Sequence, residues 1–227
     1  MGLGLLPSYL NRNPETRKFF SGIISSLDGL WGHLNVELKH NDQASSGTLF
    51  TTPFFDDLCE ISAGITGSQV GARDVGFRDG DKIRVKTLNV KYELTNTGTA
   101  GNTQVANIML IKHYDNFADI GPLFADIYDT FSTDNTNYHL MQRMNERKSQ
   151  YKILYSRRHY LSDDIGTGNK QYGTIFLAPQ KRVGTFIEWE GVQATDPSNG
   201  KYYLITWSDD SSTVDIDWTS RVTYIDN

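Results

Sequence analysis

The 227-residue sequence contains a single cysteine, Cys59. One thiol closes no internal disulfide and cannot by itself build a tetrahedral zinc site, so a reducing assembly compartment fits. Long apolar runs are also missing, and no stretch approaches the roughly 20 apolar residues of a membrane-spanning helix. The opening residues, MGLGLLPSYLNRNPETRK, place their charges after the apolar residues. That is the reverse of a secretory signal, and the expectation is a soluble chain outside the classical secretory route. Positive charge is not in excess: 22 Lys and Arg stand against 27 Asp and Glu, for a net charge of −5. With a pI near 5.5, a surface basic throughout is excluded, while a local basic patch is not. No G-x-S-x-G, P-loop, H-E-x-x-H, C-x-x-C or dinucleotide fingerprint occurs in a credible context, and no period of 20 to 50 residues is found. No enzyme class is indicated.

What is present can build a core. Hydrophobic residues make up 38%, charged residues 22% and aromatics 12%, outside the low-hydrophobicity, high-charge signature of disorder. The length suits one domain with an appendage. Between Pro14 and Trp31, Phe19, Phe20, Ile23, Ile24, Leu27, Leu30 and Trp31 fall on one helical stripe, with Asn13 and Pro14 in N-cap and N1 order. Gly22 and Gly29 weaken this amphipathic helix by roughly 1 kcal/mol each, so it depends on packing. After Gly32 the texture changes to β-type runs: 33–39, 82–95, 105–113, 151–161, 172–178, 185–189, 201–207 and 218–225. Turn-forming clusters such as Arg78-Asp79-Gly80-Asp81 and 96–102 separate them. Within 82–90 the apolar register shifts partway, which predicts a bulge, or a strand buried on both faces, near Thr87. Ile120, Leu123, Phe124, Ile127 and Phe131 recur at helical spacing after Gly121-Pro122, predicting a short helix in a long mid-domain loop.

Few residues suggest chemistry. Gly64-Ile65-Thr66-Gly67 lacks the Lys and Ser/Thr of a phosphate cradle and reads as a loop. The five histidines, His33, His40, His113, His139 and His159, are scattered, and His113 reads as a satisfied residue at a strand end. Cys59 has no basic neighbour in sequence and reads as a buried structural thiol. Carboxylate pairs are more numerous: Asp56/Asp57, Asp79/Asp81, Asp163/Asp164, Asp209/Asp210 and Asp215/Asp217. Most read as turn formers; Asp163, Asp164, Asp209 and Asp210 are the candidates for a structural Ca²⁺. Basic residues concentrate at Arg12, Arg17 and Lys18, and again at Lys148, Lys152, Arg157 and Arg158. Phosphate binding and a solvated strand face are equal readings of these. Phe19, Phe20, Ile23, Ile24 and Leu27 are candidates for a membrane-active segment, set against the simpler reading of a packed helix.

The order of several short patterns is more specific than any one of them. Leu58-Cys59-Glu60-Ile61-Ser62-Ala63-Gly64 is followed by Arg78-Asp79-Gly80-Asp81-Lys82-Ile83-Arg84-Val85-Lys86-Thr87-Leu88, an R-x-G-D-x-I-x-V-x-x-L pattern. Ala106 to Asn116 reads as a strand ending in a charged or aromatic turn, and Pro122-Leu123-Phe124-Ala125-Asp126-Ile127-Tyr128 as a P-x-x-x-D-I-Y helix. Arg147 to Tyr155 matches an R-F-x-I-L-x-D strand, with Tyr151 for Phe and Ser156 where an acid is common. Tyr203 to Asp209 and Arg221 to Asp226 match two closing strands. In this order the chain resembles, from about Asn35 to Asn227, the single jelly-roll capsid proteins of small viruses. Those are the circovirus-like and other Rep-encoding single-stranded DNA viruses and the satellite necrosis viruses of plants.

The resemblance implies an all-β fold, an eight-stranded jelly-roll sandwich with a short loop helix and an N-terminal amphipathic helix. Residues 1–32 would be the arm and 33–227 the shell domain. It implies a non-enzymatic coat protein whose partners are copies of itself, on the order of sixty in a T=1 icosahedral shell. A single-stranded DNA genome and a host receptor are the further partners, with the virion as location and assembly inside the host cell, in the nucleus for a DNA virus. One departure stands out. The family's Arg/Lys-rich arm is missing, since residues 1–31 carry Arg12, Arg17 and Lys18 against Glu15 and Asp28. A carbohydrate-binding or glycosidase-type β-sandwich is the competing class, using exposed aromatics and Asp pairs; a non-viral jelly-roll scaffold is a third.

Overall fold

A computed structural model describes residues 38–59, 61, 80–98, 103–114, 124–129, 142–143, 149–162, 169–178, 186–190, 197–209 and 213–226. The chain divides into two compact units, Met1–Glu37 and Leu38–Asn227. The first unit lies outside the described residues, and with it the predicted helix and the candidates Arg12, Arg17, Lys18, Phe19, Phe20, Ile23, Ile24 and Leu27.

The second unit is built from β1 (Lys39–Leu49), β2 (Phe54–Asp57), β3 (Lys82–Asn96), β4 (Gln104–His113), α1 (Phe124–Ile127), β5 (Tyr128–Asp129), β6 (Gln142–Arg143), β7 (Tyr151–Leu161), β8 (Lys170–Leu177), β9 (Phe186–Trp189), β10 (Pro197–Asn199), β11 (Lys201–Ser208) and β12 (Val214–Asp226). Sheet A runs β1-β12-β3, after which β8 and β9 share the far edge of β3, with β10 beyond β9. Sheet B runs β2-β11-β4-β7. All these pairings are antiparallel. The eight principal strands therefore form two sheets ordered β1-β12-β3-β8 and β2-β11-β4-β7. This is the doubly crossed Greek-key order of a jelly roll, and the predicted all-β sandwich is the observed one. The four additional strands are short, two to four residues each.

Local sequence accounts for most of this. In β3, Ile83 and Val85 point into the sandwich, and then Leu88, Val90, Tyr92 and Leu94 do so. The change of parity comes at Lys86, which is skipped where Thr223 pairs with Thr87 and Tyr224 with Val85. That is the expected bulge: one extra residue flips the facing of everything after it. The R-x-G-D pattern leads into β3. Of the predicted loop helix, Phe124 to Ile127 are helical as α1, and Ile120, Leu123 and Phe131 lie outside the described residues.

The interior is double. Between the sheets lies a core that includes Leu88, Leu94, Ile108, Leu110, Leu204 and Tyr224. On the outer face of sheet B, Met109, Ile111, Ile205 and Trp207 pack with Phe124 and Ile127 of α1. The Trp207 and Phe124 rings meet edge to face at 5.1 Å, and the Tyr151 hydroxyl donates to the Ile127 carbonyl at 2.8 Å. As a result β11 is buried along its whole length.

Candidate functional site

The described basic candidates all lie on β7, the edge strand of sheet B. Across from β4, Arg157 pairs with Ile108, Arg158 with Asn107 and Lys152 with Lys112. Alternation then sends Arg157 to the sandwich side and Arg158 to the outer side. Among the described residues no strand lies beyond β7, and Lys152 and Arg157 are exposed. Arg158 instead donates to Asp209, whose other carboxylate oxygen accepts from the Asn107 amide at 2.9 Å. Its guanidinium also lies over the Tyr160 ring, 5.4 Å from the centroid. Lys148 lies outside the described residues.

The same ion pair bears on the calcium candidates. Both oxygens of Asp209 are engaged by protein donors, and Asp163, Asp164 and Asp210 lie outside the described residues. Among the described residues, no three His, Cys, Asp or Glu side chains are grouped to hold a metal ion. Nor do the described carboxylate pairs face each other across a cleft. Asp56 and Asp57 are successive strand residues and point to opposite faces. Asp215 and Asp217 share the open face of sheet A, where Asp215 accepts from the Thr48 hydroxyl at 2.7 Å.

Cys59 is fully buried. Desolvation pushes its thiol well above the ordinary range, and the nearby Asp57 carboxylate adds to the shift; such a thiol is a poor nucleophile. At the same end of the sandwich Lys112 lies between the rings of Tyr114 and Tyr202 and donates to the Phe186 carbonyl at 3.3 Å. Burial lowers its amine to about 8. Gly200, with φ of +85°, makes the neighbouring turn, and a Cβ there would lie 2.4 Å from the Phe186 carbonyl oxygen.

A hydrogen-bonded chain crosses from sheet to sheet beside the basic strand. The Gln171 amide nitrogen donates to the Tyr160 carbonyl at 2.5 Å, which leaves its oxygen to accept from His159 Nδ1 at 2.9 Å. His159 Nε2 is then the acceptor for the Tyr92 hydroxyl at 2.9 Å, and Tyr155 donates in turn to Tyr92 at 3.0 Å. Burial holds the His159 imidazole below its ordinary pKa. Gly173, directly opposite Tyr92, leaves the space this ring occupies; a Cβ there would lie 2.2 Å from the phenol oxygen. Sequence reading missed this group because its members lie on three strands and no local pattern joins them.

Two edges of the sandwich carry exposed aromatics. Phe50 and Phe54 flank the β1/β2 edge, 54% and 64% exposed, and Tyr160, Tyr172 and Phe176 occupy the β7/β8 edge at 59%, 68% and 62%. At the β1/β2 edge the inward positions Ser45 and Gly47, paired with Trp218 and Ile216, carry a short side chain and none. The result is a crevice of about 530 Å³, floored by Leu49, Ile216 and Trp218 and walled by Phe50, Phe54 and Asp56. A Cβ built on Gly47 would meet nothing within 4 Å.

No family model matches the sequence. Among curated proteins, the chain is 23% identical over 199 residues to cytochrome-c peroxidase IdrP2 of Denitromonas iodatirespirans, covering 83% of this chain and 52% of that protein. The chain thus spans about half the length of the curated relative it matches. A C-x-x-C-H haem-attachment motif needs two cysteines, and this sequence has one. Solved structures it is similar to include viral capsid proteins. The 60-mer BFDV capsid protein is 10% identical, with a TM-score of 0.29 over 84% of this chain and 91% of that one. The infectious bursal disease virus VP2 subviral particle is 9% identical, with a TM-score of 0.25 over 86% of this chain and 33% of that one. The Macrobrachium rosenbergii nodavirus structure is 13% identical, with a TM-score of 0.26 over 84% and 54%. Superpositions this loose carry no argument of their own, and the jelly roll stands on its strand order.

Proposed function

We propose that this chain is a viral coat protein whose work is to associate with copies of itself into a closed shell. The observation that carries the reading is the coincidence of strand order and sequence pattern. The R-x-G-D-x-I-x-V-x-x-L segment opens β3, the D-I-Y segment forms α1 and β5, the Tyr151–Tyr155 segment opens β7, and the two closing patterns lie on β11 and β12. Each pattern thus falls on an element of one jelly roll. A subunit of this kind buries apolar and complementary polar surface around symmetry axes, and the sandwich offers two edges with exposed aromatics for it. The shell we propose is icosahedral, with T=1 as its simplest form, and encloses a nucleic-acid genome. Of the described basic candidates, Lys152 and Arg157 are exposed and available to phosphates.

Negative-stain microscopy of the purified protein tests this. Closed particles of uniform diameter are the expected result, and a monomer at every concentration overturns the reading. The ratio of absorbance at 260 and 280 nm, taken before and after a high-salt wash, then tests whether nucleic acid is inside, since phosphate contacts weaken steeply with ionic strength.

A further inference from the structure

The crevice and the exposed aromatics lie at opposite edges of the sandwich but at matching heights. In sheet A one row of paired residues runs Ser46, Asp217, Glu93, Tyr172, from the lip of the crevice to an exposed ring on β8. In sheet B another row runs Phe54, Thr206, Ile108, Arg157, from the crevice wall to an exposed guanidinium on β7. A neighbour displaced sideways across the strands therefore brings its β7/β8 edge level with the crevice. The charges match as well: Asp56 lies on the sandwich side of β2 at the crevice wall, and the exposed Arg157 lies on the sandwich side of β7. The Tyr160 ring stands on the outer face of sheet B beside Arg158 and the Tyr172 ring on the open face of sheet A beside Glu93, so the two flank that edge, and the bond from the Gln171 amide to the Tyr160 carbonyl ties β8 to β7 between them.

We propose, on the footing of the coat-protein reading, that the β1/β2 edge of one copy receives the β7/β8 edge of the next. Tyr160 and Tyr172 flank the mouth of the crevice on its two sides, and Arg157, on the sandwich side of β7, lies against Asp56 on the crevice wall. The contact is heterologous, because two different surfaces meet. Each copy therefore offers one donor and one acceptor edge, and successive contacts close into a ring when the rotation between copies allows it. The proposal also gives the basic strand a protein partner, so Arg157 acts on assembly whether or not nucleic acid is present.

Two variants separate the two edges. Gly47→Leu places a side chain in the open crevice, where a Cβ has room and φ is not positive. Tyr160→Ser/Tyr172→Ser removes the exposed rings of the other edge. Phe50→Ser, at an exposed position on the crevice wall, is the second crevice variant should Gly47→Leu lose its strand signal in circular dichroism. Mass photometry is expected to show assemblies for the natural protein and monomers for each variant. Mixing a crevice variant with the ring variant restores one good contact per pair, so a 1:1 dimer and nothing larger is expected. Variants that assemble like the natural protein, or a mixture that stays monomeric, overturn the edge pairing and leave the coat-protein reading in place. A natural protein that never assembles overturns both.

Discussion

Sheet A turns one face to the core and the other to solvent, whereas the central strands of sheet B, β4 and β11, are buried on both faces along nearly their whole length. The outer face of sheet A is lined by polar side chains in register, among them Asp42 opposite Arg221 and Ser46 opposite Asp217. The outer face of sheet B is covered by α1 and its neighbours. The difference shows where a chain of this kind keeps its surface open. The outer face of sheet B is covered by Phe124, Ile127 and Tyr128, whereas the outer face of sheet A and the two edges carry exposed residues that face solvent or a partner.

The largest expected effect comes from opening the sealed face. Trp207 is fully buried against Phe124, and Trp207→Ala should cost about 3–5 kcal/mol by loss of transfer energy and creation of a cavity. Phe176→Ala, removing a ring 62% exposed on sheet A, should change stability by less than about 0.5 kcal/mol. Urea unfolding of both variants checks the contrast; equal costs would mean that the second core does not hold the fold.

A smaller effect is expected where the two sheets are joined by His159. Its folded pKa lies below the ordinary value of 6.5, so the folded state favours the neutral ring. Stability is then unaffected above about pH 6.5, falls as the pH drops through that value, and levels off below the depressed native pKa. The groups bonded to the ring are Tyr92 and Gln171, with the Arg157 charge opposing protonation. A melting midpoint followed from pH 8 to pH 4 should lose this step in His159→Gln; an unchanged profile would remove the histidine from the account.

The same contrast explains what the sequence made legible. Strands β3, β4, β7 and β11 were readable because burial on one face leaves alternation and burial on both leaves a continuous apolar run, as in Ile108 to Ile111 and Tyr202 to Ile205. β7 was placed at its observed bounds, Tyr151–Leu161. β1 was not readable, since its residues Ala44 to Thr48 are exposed on both sides of an edge strand and carry no apolar period. It is held by pairing with β12, a partner more than 160 residues away in sequence. β2 is only four residues long and reads as acid and aromatic without a period.

The candidate residues followed the same division. The run of basic residues along β7 was visible, but its neighbours were not: Asp209 beside Arg158, just past β11, and Gln171 of β8, bonded to the Tyr160 carbonyl, come from elsewhere in the chain. The crevice was invisible for a different reason, because it is made by what Ser45 and Gly47 lack. A missing side chain becomes a feature only once Trp218 and Ile216 are known to lie behind it.

The smallest effect belongs to the open face of sheet A. Arg221 grips Asp42 with two hydrogen bonds of 2.7 and 2.6 Å across the β1–β12 pair, and these bonds, more than the opposing desolvation, hold the Asp42 carboxyl below its ordinary pKa. Both side chains are about half exposed, where water and salt screen an ion pair and side-chain ordering offsets much of its attraction. Arg221→Ala should therefore leave the melting midpoint at neutral pH unchanged within error. Only the acid limb should respond. A carboxyl with a lowered folded pKa stabilises the protein above its unfolded pKa and loses that contribution as the pH falls through the folded one, so the variant should unfold slightly less steeply below about pH 4. A clear loss of stability at neutral pH would mean that this face is not a solvated surface but is held against something the pair supports.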